Sequence, residues 1–222
     1  MEYLYETHCH CAQASRCASS TTSELVRAYH AAGYAGMVLT DHFVLGNTAV
    51  DTKLPWAEQM QRYHEAYLEG VAVARELDFD LLFGIEHACD DGEFLCYGID
   101  LDFLLENPQI PYLSLKPFAQ RVHEYGGLVI QAHPYRWAPA GTPLRLSILD
   151  GIEVYNASNS PWANAAAKEC KAAIYTSGGD IHFAGDSRIG QAGVYLPHRV
   201  HTAKEFAQAI KAGSYRLCIE GK

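Results

Sequence analysis

The sequence has few basic residues, no long apolar run and no regular spacing of its cysteines. Its 17 Lys and Arg stand against 26 Asp and Glu, which gives a formal charge of −9 over 222 residues. A field of that sign repels a polyanion, so we expect no nucleic-acid partner. No apolar run approaches the roughly 18 residues that a membrane span requires, and residues 1–10 lack the basic and apolar regions of a secretory signal. We therefore expect no membrane partner.

The cysteines and the absence of linkers bear on compartment and domain number. The chain has seven cysteines, which is an odd number, and it is too large to need disulfides for stability. Both features favour reduced thiols in a cytoplasmic protein. No internal repeat, low-complexity tract or Ser/Gly-rich linker marks a boundary, so we expect one domain over residues 1–222. Apolar residues make up 49% of the chain, which is enough for a packed core and excludes disorder as the main state.

Short apolar runs alternate with longer amphipathic segments along the chain. The runs expected as strands are Tyr3–Thr7, Gly36–Thr40, Asp80–Ile85, Phe94–Gly98, Gly127–Ala132, Gly151–Tyr155, Ala173–Ser177 and Tyr215–Ile219. The segments expected as helices are Thr22–Ala32, Trp56–Leu77, Leu113–Tyr125, Ala163–Cys170 and Thr202–Ala212. This alternation predicts an α/β fold whose parallel strands are covered by helices, either closed as a barrel or open as a doubly wound sheet.

Residues of the types that bind metal ions in proteins follow five of the expected strands. They are His8 and His10, Asp41 and His42, Glu86, His133, and Asp180 and His182. In a parallel barrel the carboxyl ends of the strands share one face, so these side chains are expected to converge. His8 and His10, two residues apart, point the same way, whereas Cys9 points away from them. Imidazoles and carboxylates suit Zn²⁺, Mn²⁺ or Fe, and a set this large predicts a site for more than one ion.

The ordered motifs resemble those of a known family. They are His8-Cys9-His10, Thr40-Asp41-His42, Gly84-Ile85-Glu86, Gln131-Ala132-His133-Pro134 and Gly179-Asp180-Ile181-His182. This series resembles the motif set of the PHP superfamily, named for polymerase and histidinol phosphatase, over nearly the whole chain. The resemblance implies a single-domain, distorted (β/α)7 TIM-like barrel with two or three divalent metals at its mouth, which hydrolyses phosphoesters.

The resemblance also implies a role for each ligand. It implies that His8, His10, Glu86 and Asp180 hold one metal, that Glu86 bridges to a second metal bound by His133, and that His42 and His182 serve a third. Two positions depart from the common pattern of the family. Cys17 stands where many relatives have His or Asp, and Glu93 stands where relatives often have His; each is a candidate ligand. A thiolate at Cys17 would bias its ion towards zinc or iron.

Other polar residues near the strand ends are candidates for binding substrate. Arg16 and Arg136 are the preferred phosphate ligands because a guanidinium matches phosphate in a two-pronged fork. Arg188 is equally well explained as a surface ion-pair partner. Either Asp41 or a metal-bound water is expected to protonate the leaving oxygen, and the sequence leaves that choice open.

Three further positions are assigned from strand geometry alone. Glu153 and Asn156 lie on the one strand without an evident ligand, and they are candidates to orient a water or a metal-bound histidine. His87 neighbours Glu86 and is expected to face the other side of its strand, packed rather than coordinating.

The main functional hypothesis is a metal-dependent phosphoesterase that acts on a small phosphorylated metabolite through a metal-bound hydroxide. Bound cations would make the cleft positive for such a substrate, or for inorganic phosphate, despite the net charge. The family name suggests histidinol phosphate, but no residue selects it. One alternative is an amidohydrolase-type metallohydrolase, although such enzymes rely on a bridging lysine and no Lys follows a strand here. The other is a non-catalytic metal-binding or regulatory domain, motivated by Cys17 and Glu93.

Overall fold

The computed structural model describes residues 2–89, 92–136 and 144–222. The strands in these ranges are β1 (Tyr3–Cys9), β2 (Gly36–Leu39), β3 (Asp80–Cys89), β4 (Gly92–Tyr97), β5 (Leu128–Gln131), β6 (Gly151–Asn156), β7 (Ile174–Gly178), β8 (Ala192–Leu196) and β9 (Arg216–Ile219). The helices are α1 (Thr22–Ala31), α2 (Trp56–Glu76), α3 (Leu101–Glu106), α4 (Leu115–Tyr125), α5 (Pro161–Lys168) and α6 (Ala203–Ala212), with a 3₁₀ turn at Ile110–Tyr112. Every strand and helix expected from the sequence is confirmed within a few residues, and β8 and α3 were not foreseen.

One sheet joins the strands and curls until it nearly closes. The strand order is β7-β6-β5-β4-β3-β2-β1-β8-β9. The chain that continues from β7 then meets the carboxyl end of β1, where the Asp180 amide donates to the His8 carbonyl at 2.7 Å and the His10 amide to the Ile181 carbonyl at 2.9 Å. The amino end of β1 instead pairs antiparallel with β8. The expected distorted barrel is therefore confirmed, but the sheet has nine strands in the described ranges instead of the expected seven, because β8 and β9 add an antiparallel ribbon beside β1.

The expectation of uniformly parallel strands is wrong at β4. This strand pairs antiparallel with both β3 and β5, and it follows β3 as the second arm of a hairpin with no intervening helix. A short hairpin turn can join only antiparallel strands, whereas two parallel strands need a crossover connection of about a dozen residues or more. Because β4 runs the opposite way, its amino end, with Glu93, lies beside the carboxyl ends of the parallel strands.

Alternating side chains divide the apolar core into two layers. Val38, Leu82 and Leu95 belong to an inner cluster, which Phe206 of α6 joins. Their sequence neighbours on β2 and β3 belong to an outer cluster shared with the covering helices. The inner cluster includes residues near the amino ends of the parallel strands, where the ring of Tyr5 lies 6.2 Å from that of Phe206. That end of the barrel is thus filled by apolar side chains, and polar groups collect at the opposite mouth.

The ends of the helices follow from local hydrogen bonding. Thr21 and Glu24 form a reciprocal capping box at the start of α1, and the Thr202 hydroxyl accepts the Glu205 amide at the start of α6. Gly213 ends α6 in the left-handed region at φ 72°, which costs least for a residue without a side chain. Of the helices in the described ranges, none combines the length and apolarity needed to cross a membrane.

Candidate metal centre

Eight of the residues predicted as metal ligands meet at the polar mouth of the barrel. They are His8, His10, His42, Glu86, Glu93, His133, Asp180 and His182, and they form four overlapping groups whose ligand atoms lie within 4.8 Å of one another. The groups are His8, His10 and Asp180; His8, Glu86 and His133; His42, Glu86 and Glu93; and His10, His42 and His182. Glu86 belongs to two groups and His10 to two others, so the arrangement has room for more than one ion.

The ring nitrogens of this cluster approach one another in a way that hydrogen bonding alone does not explain. The Nε2 atoms of His8 and His10 are 3.1 Å apart, and His10 Nε2 also lies 3.2 Å from Asp180 Oδ1. Glu86 Oε2 and His42 Nδ1 lie 2.7 Å apart, yet within the described ranges neither atom has a well-directed hydrogen bond, although both are buried. Buried polar atoms in this state are costly. Lone pairs from imidazole and carboxylate that converge on common points fit a divalent metal ion.

Burial and charge act against each other on these groups. Burial alone would raise the pKa of Glu86, but the neighbouring His8, His133 and His42 hold it well below its usual range. Burial lowers the pKa of His10 to about 3. Burial also disfavours the charged form of His42, but Cys17 and Glu86 raise its pKa to about 10. At neutral pH, Glu86 therefore offers an ionised oxygen and His10 a neutral ring, whereas His42 carries a proton that a metal ion would have to displace.

A carboxylate behind His8 orients its ring. His8 Nδ1 lies 3.2 Å from Glu153 Oε1, while Glu153 Oε2 accepts the His133 amide at 2.8 Å and the Asn156 side-chain amide at 2.8 Å. Because an ionised carboxylate only accepts hydrogen bonds, we assign a proton of His8 to Nδ1, so that Nε2 is the ring atom available to a metal ion. Glu153 and Asn156 thus lie where residues that orient a ligand are expected.

The backbone is strained at two of the predicted ligand positions. His133 has φ 25° and Asp180 has φ 53°, both in the left-handed region that side chains disfavour. Such residues cluster at functional sites because the surrounding structure must hold them there. Asp180 is held by the bond from its amide to the His8 carbonyl, which also closes the barrel. The same contact therefore closes the barrel and orients Asp180 towards the cluster.

A cleft of about 570 Å³ opens beside the cluster. Its lining residues are Cys17, Arg136, Ser158, Asn159, Ser160, Asp180, His182 and Arg188. The Arg136 guanidinium contacts the Asp180 carboxylate and donates to Asn159 Oδ1 at 2.8 Å and Asn156 Oδ1 at 2.9 Å. Arg188 forms the ion pair with Asp186 that one reading of the sequence suggested, and it also borders the cleft. Arg136 is thereby fixed between the cluster and the space available to a ligand.

Cys17 and Arg16 lie side by side in an exposed turn at the rim. The Cys17 thiol is partly shielded, which would raise its pKa, but the neighbouring His182 and His42 lower it to about 6. Cys17 and His182 line the same cleft, and ligation of a metal by Cys17 stays a prediction. The Arg16 side chain is exposed and makes no hydrogen bond or ion pair with the described part of the chain. A role for Arg16 in binding phosphate also stays a prediction.

Asp41 lies behind the cluster rather than in the cleft. It is 2% exposed. Its Oδ1 accepts the Cys11 amide at 2.7 Å and the Ser15 hydroxyl at 2.7 Å. The alternation of β2 explains this placement, because a strand that turns Val38 and His42 inward must turn Asp41 outward. The hypothesis that Asp41 protonates a leaving oxygen is not supported by this position, since its carboxylate does not reach the cleft.

Two buried polar residues beside the cluster were missed in the sequence. Glu6 Oε1 accepts the amides of Thr7 and His8, each at 2.9 Å, and that of Gly179 at 2.7 Å. It therefore ties β1 to the segment that carries Asp180. The available signal was an acidic residue inside an otherwise apolar strand. The second residue, Ser15, lies in a loop, where no periodicity marks it.

Comparison with known proteins finds likeness in structure only. No model of a known protein family matches the chain, and no curated protein does either. A two-domain protein of Bacteroides vulgatus, which contains a predicted PHP-like metal-dependent phosphoesterase, matches with a TM-score of 0.70 and 14% identity. The match covers 99% of this chain and 65% of that one. An amidohydrolase of Chromobacterium violaceum, solved with bound sulfate and no metal, matches with a TM-score of 0.58 and 16% identity over 96% of this chain and 97% of that one. The resemblance inferred from the motifs is thus confirmed at the level of the fold.

Proposed function

We propose that this chain is a metal-dependent phosphoesterase that hydrolyses a phosphomonoester of a small metabolite. The observation that carries the proposal is the position of Arg136, which touches Asp180 of the cluster and borders the cleft. A guanidinium carries five N–H donors, and the three contacts to Asp180, Asn156 and Asn159 leave further donors for a phosphoryl group beside the predicted metal ligands. The fold likeness to a protein that contains a predicted PHP-like metal-dependent phosphoesterase supports the same reaction class.

The cluster would hold two or three divalent ions, with zinc, manganese and iron as the candidates. His8, His10 and Asp180 would hold one ion, and Glu86 would be shared with a second that His133 completes. His42 and His182 would serve a third, with Cys17 and Glu93 as further ligands at the rim. Ions bound there would supply Lewis acidity towards the phosphoryl oxygens and make water available as a nucleophile near neutral pH.

The chain's own residues would bind and orient the substrate. The Arg136 guanidinium would bind the non-bridging phosphoryl oxygens, on which negative charge is spread during the transfer. Asn156 and Asn159 hold that guanidinium at 2.9 Å and 2.8 Å, so little side-chain freedom is lost when substrate arrives. Positioning of this kind, together with electrostatic stabilisation, supplies most of the catalysis in phosphoryl transfer.

Phosphate release from metal-loaded protein tests the proposal. Chelator-treated protein is reloaded anaerobically with Mn²⁺, Zn²⁺ or Fe²⁺ and assayed with an aryl phosphate and a panel of sugar, amino-alcohol and nucleotide phosphates. We expect turnover with at least one metal and a loss of more than about 100-fold in Asp180→Asn. Asp102→Asn, at an exposed position of α3, is the matched control and should retain the activity.

Two outcomes would reject the phosphoesterase. Tight metal binding with no phosphate release from any substrate would favour the non-catalytic metal-binding domain. Hydrolysis of amides in the absence of phosphate release would favour the amidohydrolase reaction, for which the fold likeness to the Chromobacterium violaceum protein gives a reason to test.

A further inference from the structure

Ser15 lies between the carboxylate of Asp41 and the ring of His10, on the side of the cluster away from the cleft. Its Oγ is 2.7 Å from Asp41 Oδ1 and 3.3 Å from His10 Nδ1. The same oxygen accepts the backbone amide of His42 at 3.0 Å. Ser15 and His10 are both fully buried, so these contacts are made without competition from bulk water.

The hydrogen-bonding capacity of a hydroxyl determines the direction of each bond. A serine hydroxyl has one proton and two acceptor positions. Asp41 Oδ1 already accepts the Cys11 amide at 2.7 Å, so it is an acceptor and receives the Ser15 proton. The His42 amide can only donate, and it fills one acceptor position of Ser15 Oγ. The remaining acceptor position faces His10 Nδ1, which must therefore carry a proton.

We propose that Ser15 and Asp41 form a positioning relay that fixes His10 in the tautomer whose Nε2 is free to bind a metal ion. The inference rests on the proposed metal centre, and it assigns a role to two residues that reach neither the cleft nor the convergent atoms. It also replaces the role in proton donation first considered for Asp41. His10 Nε2, left without a proton, is the atom that lies 3.1 Å from His8 Nε2 and 3.2 Å from Asp180 Oδ1.

The relay parallels the arrangement behind His8. There the Glu153 carboxylate contacts Nδ1 directly at 3.2 Å, whereas behind His10 the Ser15 hydroxyl spans the gap to Asp41. Partners of this kind fix the ring and its tautomer, and their loss typically weakens metal binding 10- to 100-fold. Because Ser15 also holds the His42 amide, the one hydroxyl orients ligands from the ends of both β1 and β2.

The first test measures the tautomer of His10 directly. Long-range ¹H–¹⁵N spectra of chelator-treated, ¹⁵N-histidine-labelled protein distinguish a proton on Nδ1 from one on Nε2, and His10→Ala identifies the signal. We expect the Nδ1–H form in the wild-type protein. Finding the Nε2–H form there would overturn the relay, whatever any variant does.

The second test removes the hydroxyl. In Ser15→Ala we expect the His10 signal to shift towards the Nε2–H form and the Zn²⁺ affinity, measured by competition with a chromogenic chelator, to fall 10- to 100-fold. Ser177→Ala is the matched control, because Ser177 is also fully buried and its hydroxyl donates to the Cys218 carbonyl at 2.6 Å and accepts the Gly193 amide at 3.3 Å. If Ser15→Ala keeps both the tautomer and an affinity within twofold of Ser177→Ala, the relay is wrong.

These readouts separate the relay from the enzymatic proposal. Tautomer and Zn²⁺ affinity are measured without substrate, so their dependence on Ser15 would stand even if no phosphate were released. Conversely, the protein could release phosphate while the His10 tautomer is unchanged in Ser15→Ala. That result would leave the phosphoesterase proposal standing and would show that the relay is wrong. Asp41→Asn keeps Oδ1 as an acceptor, so we expect it to preserve the Nδ1–H form while Asp41→Ala shifts it towards the Nε2–H form.

Discussion

His8 and Glu153 face each other inside the barrel, with His8 Nδ1 3.2 Å from Glu153 Oε1 and both side chains shielded from solvent. The partner comes from β6, which carries no predicted metal ligand. Glu153 Oε2 is occupied at the same time by the His133 amide and the Asn156 side chain. One carboxylate therefore fixes a ring of the first strand, the backbone of a second ligand and a residue that holds Arg136.

Glu153→Gln is expected to weaken metal binding about 10- to 100-fold. The two donors at Oε2 require an oxygen there, so the glutamine NH₂ would turn towards His8 Nδ1 and force the His8 proton onto Nε2. Competition with a chelator measures the loss. Glu169→Gln, exposed at the end of α5, is the control that should bind as the wild type does. Equal affinity in Glu153→Gln would show that the carboxylate does not set the tautomer.

Arg136→Lys is expected to lower kcat/KM for a phosphomonoester by about 10- to 100-fold, mostly through KM. Lysine keeps the charge but loses the fork, and a charged hydrogen bond is worth about 1.5–3 kcal/mol. Arg62→Lys, on the exposed face of α2, provides the comparison. Zn²⁺ affinity should change much less than KM in Arg136→Lys, because a guanidinium offers no lone pair to a metal ion and the lysine keeps the positive charge beside Asp180. A fall in metal affinity without a change in KM would contradict the assignment.

The alternation of apolar and amphipathic segments was sufficient to predict parallel strands covered by helices, and the resemblance of the ordered motifs to the PHP superfamily selected the barrel, at whose mouth the predicted ligands meet. His8, Glu86 and Asp180 each follow or end a buried strand, and parallel strands leave little freedom for where such ends meet. The direction of β4 was not predictable in the same way, because the apolar pattern of a short strand is the same whether the strand runs parallel or antiparallel to its neighbours. Its reversal is what brings Glu93 to within 3.5 Å of His133.

Side-chain orientations were predictable on the strands but not in the loops. Side chains alternate between the two faces of a strand, and this rule correctly predicted that Cys9 faces away from His8 and His10 and that His87 faces away from Glu86. The same rule, applied to Asp41, would have predicted its position outside the cleft. Ser15 lies in a loop, where a side chain's position depends on backbone turns that no period encodes. Its contact with His10 was therefore visible only in three dimensions.

Gly178→Ala is expected to destabilise the protein by about 1–3 kcal/mol and to weaken metal binding, because overpacking forces backbone shifts. An added Cβ would press against Glu153 Oε1 and lie 2.6 Å from His8 Cβ and 2.9 Å from Thr7 Oγ1. β7 would have to retreat from β1, and Asp180 would move with it. Urea denaturation and chelator competition measure the two effects. If the variant keeps its stability and metal affinity, the contact between β7 and β1 is less tightly packed than these distances indicate.

His87→Leu is expected to stabilise the protein, on the order of 1 kcal/mol at pH 7. The His87 ring is fully buried and stacked on Phe118 with centroids 4.0 Å apart, and within the described ranges neither ring nitrogen has a hydrogen-bond partner. An unsatisfied buried polar group costs about 1–3 kcal/mol, which an apolar side chain of similar size avoids. Urea denaturation in the presence of a chelator, which removes any contribution from bound metal, measures the gain. His30→Leu, exposed on α1, should change stability little.

The advantage of His87→Leu should grow as the pH falls. Burial lowers the pKa of His87 from 6.5 to about 4, so between these values the unfolded chain binds a proton that the folded protein does not. The wild type therefore loses about 1.4 kcal/mol of stability for each pH unit across most of that interval, and the leucine variant is spared this loss. Unfolding at pH 7, 6 and 5 measures the difference between the two proteins, in which the other titrating groups cancel. A gap that stays constant or narrows towards pH 5 would mean that His87 is protonated or hydrogen-bonded inside the folded protein.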